Sequence, residues 1–128
     1  MKSRNLAITK TFTFDSAHHL KDYPGKCRNV HGHTYKLEVT VRGNTDKNGL
    51  VMDFHDLDDI IKSDVLERID HKYLNDIFDF NPTCENIGIW IWEEAAGKII
   101  QAGCTLEKLV LWETPTSCVT INKEDMAL

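Results

Sequence analysis

Cysteine is scarce in this chain. Its four residues, Cys27, Cys84, Cys104 and Cys118, include no Cys-x-x-Cys pair. That excludes a disulfide-stapled scaffold. Proline is sparse too, at three residues in 128, and there is no linker, low-complexity tract or internal repeat. The length suits one domain, residues 1–128. Apolar runs stop after a handful of residues, far short of a membrane span. The segment Met1-Lys2-Ser3-Arg4-Asn5 has no apolar stretch resembling a signal peptide. The expectation is a cytoplasmic protein with no membrane partner. Positive charge is also in deficit, 15 Lys plus Arg against 20 Asp plus Glu, for a formal charge of −5. This balance argues against non-specific binding to nucleic acid, while a locally basic pocket for a phosphorylated small molecule stays compatible with it. What remains, 41% apolar and 27% charged residues, is an ordinary globular composition.

Periodicity supplies the elements. Leu6, Ile8, Phe12 and Phe14 occupy even positions, the mark of a strand with one buried face over residues 6–15. Pro24-Gly25 signals a turn. Tyr35, Leu37, Val39 and Val41 then alternate with Lys36, Glu38, Thr40 and Arg42, giving a second strand over 33–42. Residues 43–49 are turn-rich, and 50–54 read as a short strand or extended lead-in. Leu57, Ile60, Ile61, Val65, Leu66 and Ile69 recur at three and four, which predicts one helix over about 55–69. Thr83 can cap a second helix, with Glu85 in its first turn and Gly103 at its end. Residues 106–112 and 119–121 predict two final strands. The order implies an α+β domain with helices on one face of a four-stranded antiparallel sheet. Its open edges must be blunted or paired, and a second subunit would do this.

Four of the six histidines fall between positions 18 and 33. On a strand, residues two apart share a side, so His31 and His33 join the inward parity of Tyr35 and Leu37. His18 shares the even, inward parity of Phe12 and Phe14. Three inward imidazoles are poor core material and good ligands for zinc in a site with one open position. Cys27, four residues before His31, is either a fourth ligand or a thiolate whose pKa is lowered by a neighbouring cation. Cys104 and Cys118 read as structural thiols among apolar or strand residues. Asp70-His71 is a carboxylate–imidazole unit, a common acid/base device, or simply a solvated helix end. Glu113 is either a strand-end charge or a carboxylate suited to an amidine-like ligand edge.

Five segments together resemble the pyruvoyl-tetrahydropterin synthase family. They are Phe14-Asp15-Ser16-Ala17-His18-His19-Leu20, Cys27-Arg28-Asn29-Val30-His31-Gly32-His33, Asp70-His71-Lys72-Tyr73-Leu74-Asn75, Asn81-Pro82-Thr83-Cys84-Glu85-Asn86 and Trp112-Glu113-Thr114. The resemblance implies a tunnelling fold, in which sheets from three subunits close a barrel and two trimers stack as a homohexamer. It implies Zn²⁺ on His18, His31 and His33, a catalytic Cys27, and Asp70 with His71 as its acid/base partners. It further implies that Glu113 anchors a pterin, and that Thr83, with Glu85 a weaker candidate, approaches the pterin from a neighbouring subunit. Cys84 stands where relatives often carry Ser or Thr. The three-residue gap between Cys27 and His31 resembles the carboxy-tetrahydropterin branch associated with queuosine biosynthesis. Its implied substrate is 7,8-dihydroneopterin triphosphate. A pyruvoyl-forming enzyme on the same substrate is the near alternative, and a non-enzymatic zinc-binding domain the distant one. Lys10, Lys21, Lys26 and Arg28 are candidates for holding the phosphates.

Overall fold

In a computed structural model, residues 1–127 are described. The two alternating segments form long strands, β1 (Asn5–His18) and β2 (His31–Asn44). They pair antiparallel along their whole length, from Asn5 opposite Asn44 to His18 opposite His31. After a turn-rich loop come α1 (Phe54–Ile61), a π-helical turn over Lys62–Leu66, and α2 (Glu67–Ile69). Next are β3 (Lys72–Tyr73), α3 (Leu74–Ile77) and α4 (Cys84–Gln101), and then β4 (Thr105–Thr114) and β5 (Ser117–Asn122). The sheet order is β3-β1-β2-β4-β5.

The α+β class expected from the sequence is the one observed, with two departures. The sheet has five strands rather than four, and it is mixed, because β3 runs parallel to β1 opposite Ser16 and Ala17. Two residues carry no readable period, so β3 left no trace in the pattern. The helix expected over 55–69 is interrupted by the π turn, whose wider winding preserves the apolar face while displacing α2 along the chain. Residues 50–54 form turns and the lead-in to α1, not a strand.

One contiguous core fills the space between the sheet and the helices. Phe14, Tyr35, Leu37, Leu109 and Leu111 from the sheet meet Leu57, Ile61, Ile87, Ile91 and Ile99 from the helices, all essentially inaccessible to water. Burial of this kind contributes about 1.5–3 kcal/mol for each large apolar side chain. Helix α4 starts where the sequence indicated, with Thr83 Oγ1 accepting from the Asn86 N–H at 3.1 Å. It lies so close to β5 that a Cβ at Gly88 would sit 3.0 Å from Ile121. No helix among the described residues is long and apolar enough to cross a membrane.

Candidate functional site

The β1–β2 register brings the three histidines together. His18 faces His31 directly, and His33 lies opposite Ser16, two residues along the same face. Their ring centroids are 4.6, 4.9 and 5.2 Å apart. One ring nitrogen from each lies within 4.8 Å of the others. Gly32 between them needs no special conformation, since a Cβ there would make only ordinary contact with the Ser16 carbonyl at 3.7 Å.

The surrounding hydrogen bonds decide what these rings can do. His18 Nδ1 donates to the Pro82 carbonyl at 2.7 Å, and His31 Nδ1 to the Asn29 carbonyl at 2.7 Å. Fixing the proton on Nδ1 leaves the Nε2 lone pair free to ligate, the usual arrangement around a bound metal. His18 Nε2 and His33 Nε2 are buried with no hydrogen-bond partner among the described residues. Burial pushes both imidazoles below their ordinary pKa, against the opposing influence of the Pro82 carbonyl on His18 and of Glu113 on both. Neutral imidazoles with orphaned nitrogens converging on one point fit a divalent metal. Cys27 Sγ is not among the ligating atoms that cluster here.

Glu113 stands at the edge of the cluster, its Oε1 3.7 Å from His33 Nε2. The β4–β5 register shifts by one between Trp112 and Thr114, leaving Glu113 unpaired across the hairpin. Bulges of this kind re-aim a side chain beside a site. Glu113 lines a cavity of about 460 Å³ with Thr83, Cys84, Glu85, Tyr23 and Cys118 among others. Thr83 and Glu113, expected to meet across a subunit boundary, thus share one cavity within a single chain. Burial, aided by Glu113, pushes the Cys84 thiol up to about 12, so it is neutral near pH 7, and its Sγ–H points to the Leu111 carbonyl at 3.3 Å. Cys104 is buried as expected, but Cys118 is exposed, sharing the outward parity of Thr120 on β5 while Val119 and Ile121 face the core.

Asp70 and His71 lie elsewhere. Asp70 Oδ1 is 2.9 Å from His71 Nδ1 and also accepts from the Asp15 N–H at 3.0 Å. The His71 N–H donates to the Asp15 carbonyl at 2.6 Å, and His71 takes a left-handed φ of 59° that histidine rarely adopts. Their ligating atoms cluster with the carboxylate of Asp15. Asp15 is exposed, on the opposite parity from buried Phe14, Ser16 and His18. The Asp70–His71 pair is therefore on the outer side of the hairpin and the histidine triad on the inner side. Cys27 belongs to neither cluster. It sits in a 3-10 turn over Lys26–Arg28, tied by its carbonyl to the Leu20 N–H at 2.7 Å.

Two residues of the site are not apparent from the sequence. Tyr35 is fully buried, its ring 5.7 Å from that of His33, and its hydroxyl has no partner. Burial, then Glu113 and Cys84, raise its pKa. Its parity with His31 and His33 is the available signal, but a place in the core explains that parity equally well. Asp15 carries no signal beyond its strand alternation.

The sequence profile described as 6-pyruvoyl tetrahydropterin synthase matches residues 7–124. The chain belongs to this family. A Haemophilus influenzae relative named 6-carboxy-5,6,7,8-tetrahydropterin synthase is 34% identical, the match covering 86% of this chain and 94% of the relative. A Pyrococcus furiosus relative named dihydroneopterin monophosphate aldolase is 43% identical over 88% of this chain and 91% of its own. Among solved structures, the Caenorhabditis elegans 6-pyruvoyl tetrahydropterin synthase superposes with a TM-score of 0.81 at 27% identity, covering 93% of this chain and 96% of the other.

Proposed function

We propose that this chain is a zinc-dependent pterin lyase that converts 7,8-dihydroneopterin triphosphate and water to 6-carboxytetrahydropterin, acetaldehyde and triphosphate. The observation that carries the reading is the convergence of three imidazoles beside a carboxylate-lined cavity. The gap of three residues between Cys27 and His31, together with the 34% identical relative of that name, supports the carboxy branch.

His18, His31 and His33 hold Zn²⁺, which when bound supplies Lewis acidity to the hydroxyl oxygens of the substrate side chain. Glu113 accepts hydrogen bonds from the amino-pyrimidine edge of the pterin, a charge-assisted pairing that also fixes the ring's orientation. The Cys27 thiolate takes the proton from the side-chain carbon next to the ring, whose conjugated C=N accepts the electron pair. His71, oriented by Asp70, returns or relays a proton as triphosphate leaves. Cleavage of the side-chain carbon–carbon bond with water then releases acetaldehyde. Since one chain holds the triad and the His71 pair on opposite sides of the hairpin, a complete site needs His71 from a second subunit. That is consistent with a homohexamer built as a dimer of trimers, with the open sheet edges paired between chains.

The 43% identical relative favours a second reading, an aldol-type cleavage. In it the bond between the first two side-chain carbons breaks, the second hydroxyl becomes an aldehyde, and the ring keeps a hydroxymethyl group. Mass spectrometry of products from the zinc-loaded protein separates the readings. Carboxytetrahydropterin with acetaldehyde supports the first, and hydroxymethyl-dihydropterin with a phosphorylated two-carbon aldehyde the second. Pyruvoyl-tetrahydropterin moves the chain to the near alternative, and no turnover on any dihydroneopterin phosphate overturns the lyase reading.

A further inference from the structure

The four cations that the sequence offers for phosphate have different positions. Lys10 is committed elsewhere, 3.8 Å from Asp58 and over the Phe12 ring. Lys26 is exposed and lines neither of the cavities beside the site. Lys21 and Arg28, by contrast, line one cavity of about 470 Å³, together with His19, Leu20, Asp22 and Asn29. Neither has a carboxylate oxygen within 4 Å among the described residues.

The loop forming this cavity is tied down at several points. The Lys21 N–H donates to Asn81 Oδ1 at 2.9 Å, and its ammonium to the Asp79 carbonyl at 3.1 Å. The His19 N–H donates to Asn75 Oδ1 at 2.8 Å, and its ring is held by the Tyr73 hydroxyl. The Leu20 N–H reaches the Cys27 carbonyl, so the loop closes on itself. Leu20 also lines the cavity that contains Glu113 and Thr83. The two cavities therefore share one lining residue, Leu20, two positions after His18. A ligand with its ring against Glu113 can extend an anionic tail into the Lys21 and Arg28 cavity. Asp22 is the one carboxylate among the lining residues, against the two cations Lys21 and Arg28.

We propose that Lys21 and Arg28 form a subsite for the polyphosphate tail of the substrate, with Asp22 opposing the anion. The proposal rests on the dihydroneopterin-phosphate reading and adds a preference for a triphosphate over a monophosphate, because two separate cations serve a chain of phosphates better than a single group.

The test is equilibrium titration of the full chain with 7,8-dihydroneopterin, its monophosphate and its triphosphate, bound zinc being quantified before and after. Wild type is expected to bind the triphosphate on the order of a hundredfold more tightly than the unphosphorylated compound, about tenfold for each cation. The double variant Lys21→Gln/Arg28→Gln shrinks that advantage to a few-fold while leaving dihydroneopterin binding itself unchanged. Asp22→Asn, which suits the left-handed φ of 56° there, increases it. A triphosphate advantage that survives in the double variant, or that wild type never has, overturns the subsite. If dihydroneopterin does not bind wild type at all, the pterin reading fails by itself. Inorganic tripolyphosphate then decides the subsite alone: binding that the double variant loses supports it, and binding that is absent or unaffected overturns it.

Discussion

The two sides of the β1–β2 hairpin carry titratable clusters of opposite character. On the inner side, strand alternation alone aligns His18, His31 and His33, and buried nitrogens are left without partners. On the outer side, Asp70 and His71 are aligned by a loop, a left-handed backbone and hydrogen bonds to the main chain of Asp15, and the His71 ring stays open to solvent. The inner cluster is buried at His18 and half-buried at His31, His33 and Glu113, as suits a metal and a carboxylate anchor. The outer one is open to solvent, the His71 side chain being 77% exposed. On the proposed account the inner side binds and the outer side moves protons.

The largest expected effect breaks the inner side. His31→Ala should abolish stoichiometric zinc, read by metal analysis, and lower turnover by at least about a thousandfold. Cys27→Ala should lower kcat by about 10²–10⁴-fold while zinc content stays at wild-type level. Loss of zinc in that variant would instead make Cys27 a ligand. Glu113→Gln keeps the shape and removes the charge. It should cost about 1.5–3 kcal/mol in kcat/KM, the range for a hydrogen bond to a charged group, and its weaker binding should extend to the unphosphorylated pterin. Tyr35→Phe sharpens the comparison at the small end. Its hydroxyl has no hydrogen-bond partner among the described residues, so the melting temperature of the variant should be unchanged or slightly higher. A clear fall would reveal a hydrogen bond to that hydroxyl.

How far the sequence could be read obeys the same division. The inner cluster was legible because a period of two is a local rule, and it holds without a break from Phe12 to His18 and from His31 to Val41. Glu113 was legible as a residue but not in its direction, which depends on a register shift between β4 and β5. The outer cluster was readable only as the pair Asp70-His71. Its position results from the π turn, the two-residue β3 and the Ser16 Oγ–H bond to the Ile69 carbonyl, all of them tertiary outcomes. Cys118 differs from expectation because strand character alone does not say which face a residue takes, and on β5 the core face belongs to Val119 and Ile121. Lys10 and Lys21 likewise look alike in sequence and differ only in what surrounds them.

The division of labour between the two sides is tested most directly by co-expressing two differently tagged inactive chains, His31→Ala and His71→Ala, and isolating the mixed assembly. Each alone should be inactive. If the inner side of one chain works with the outer side of another, the mixed assembly contains intact sites and recovers turnover of 7,8-dihydroneopterin triphosphate to a substantial fraction of wild type. Mixed assemblies that form, bind zinc at their intact triads and still turn nothing over would contradict the account.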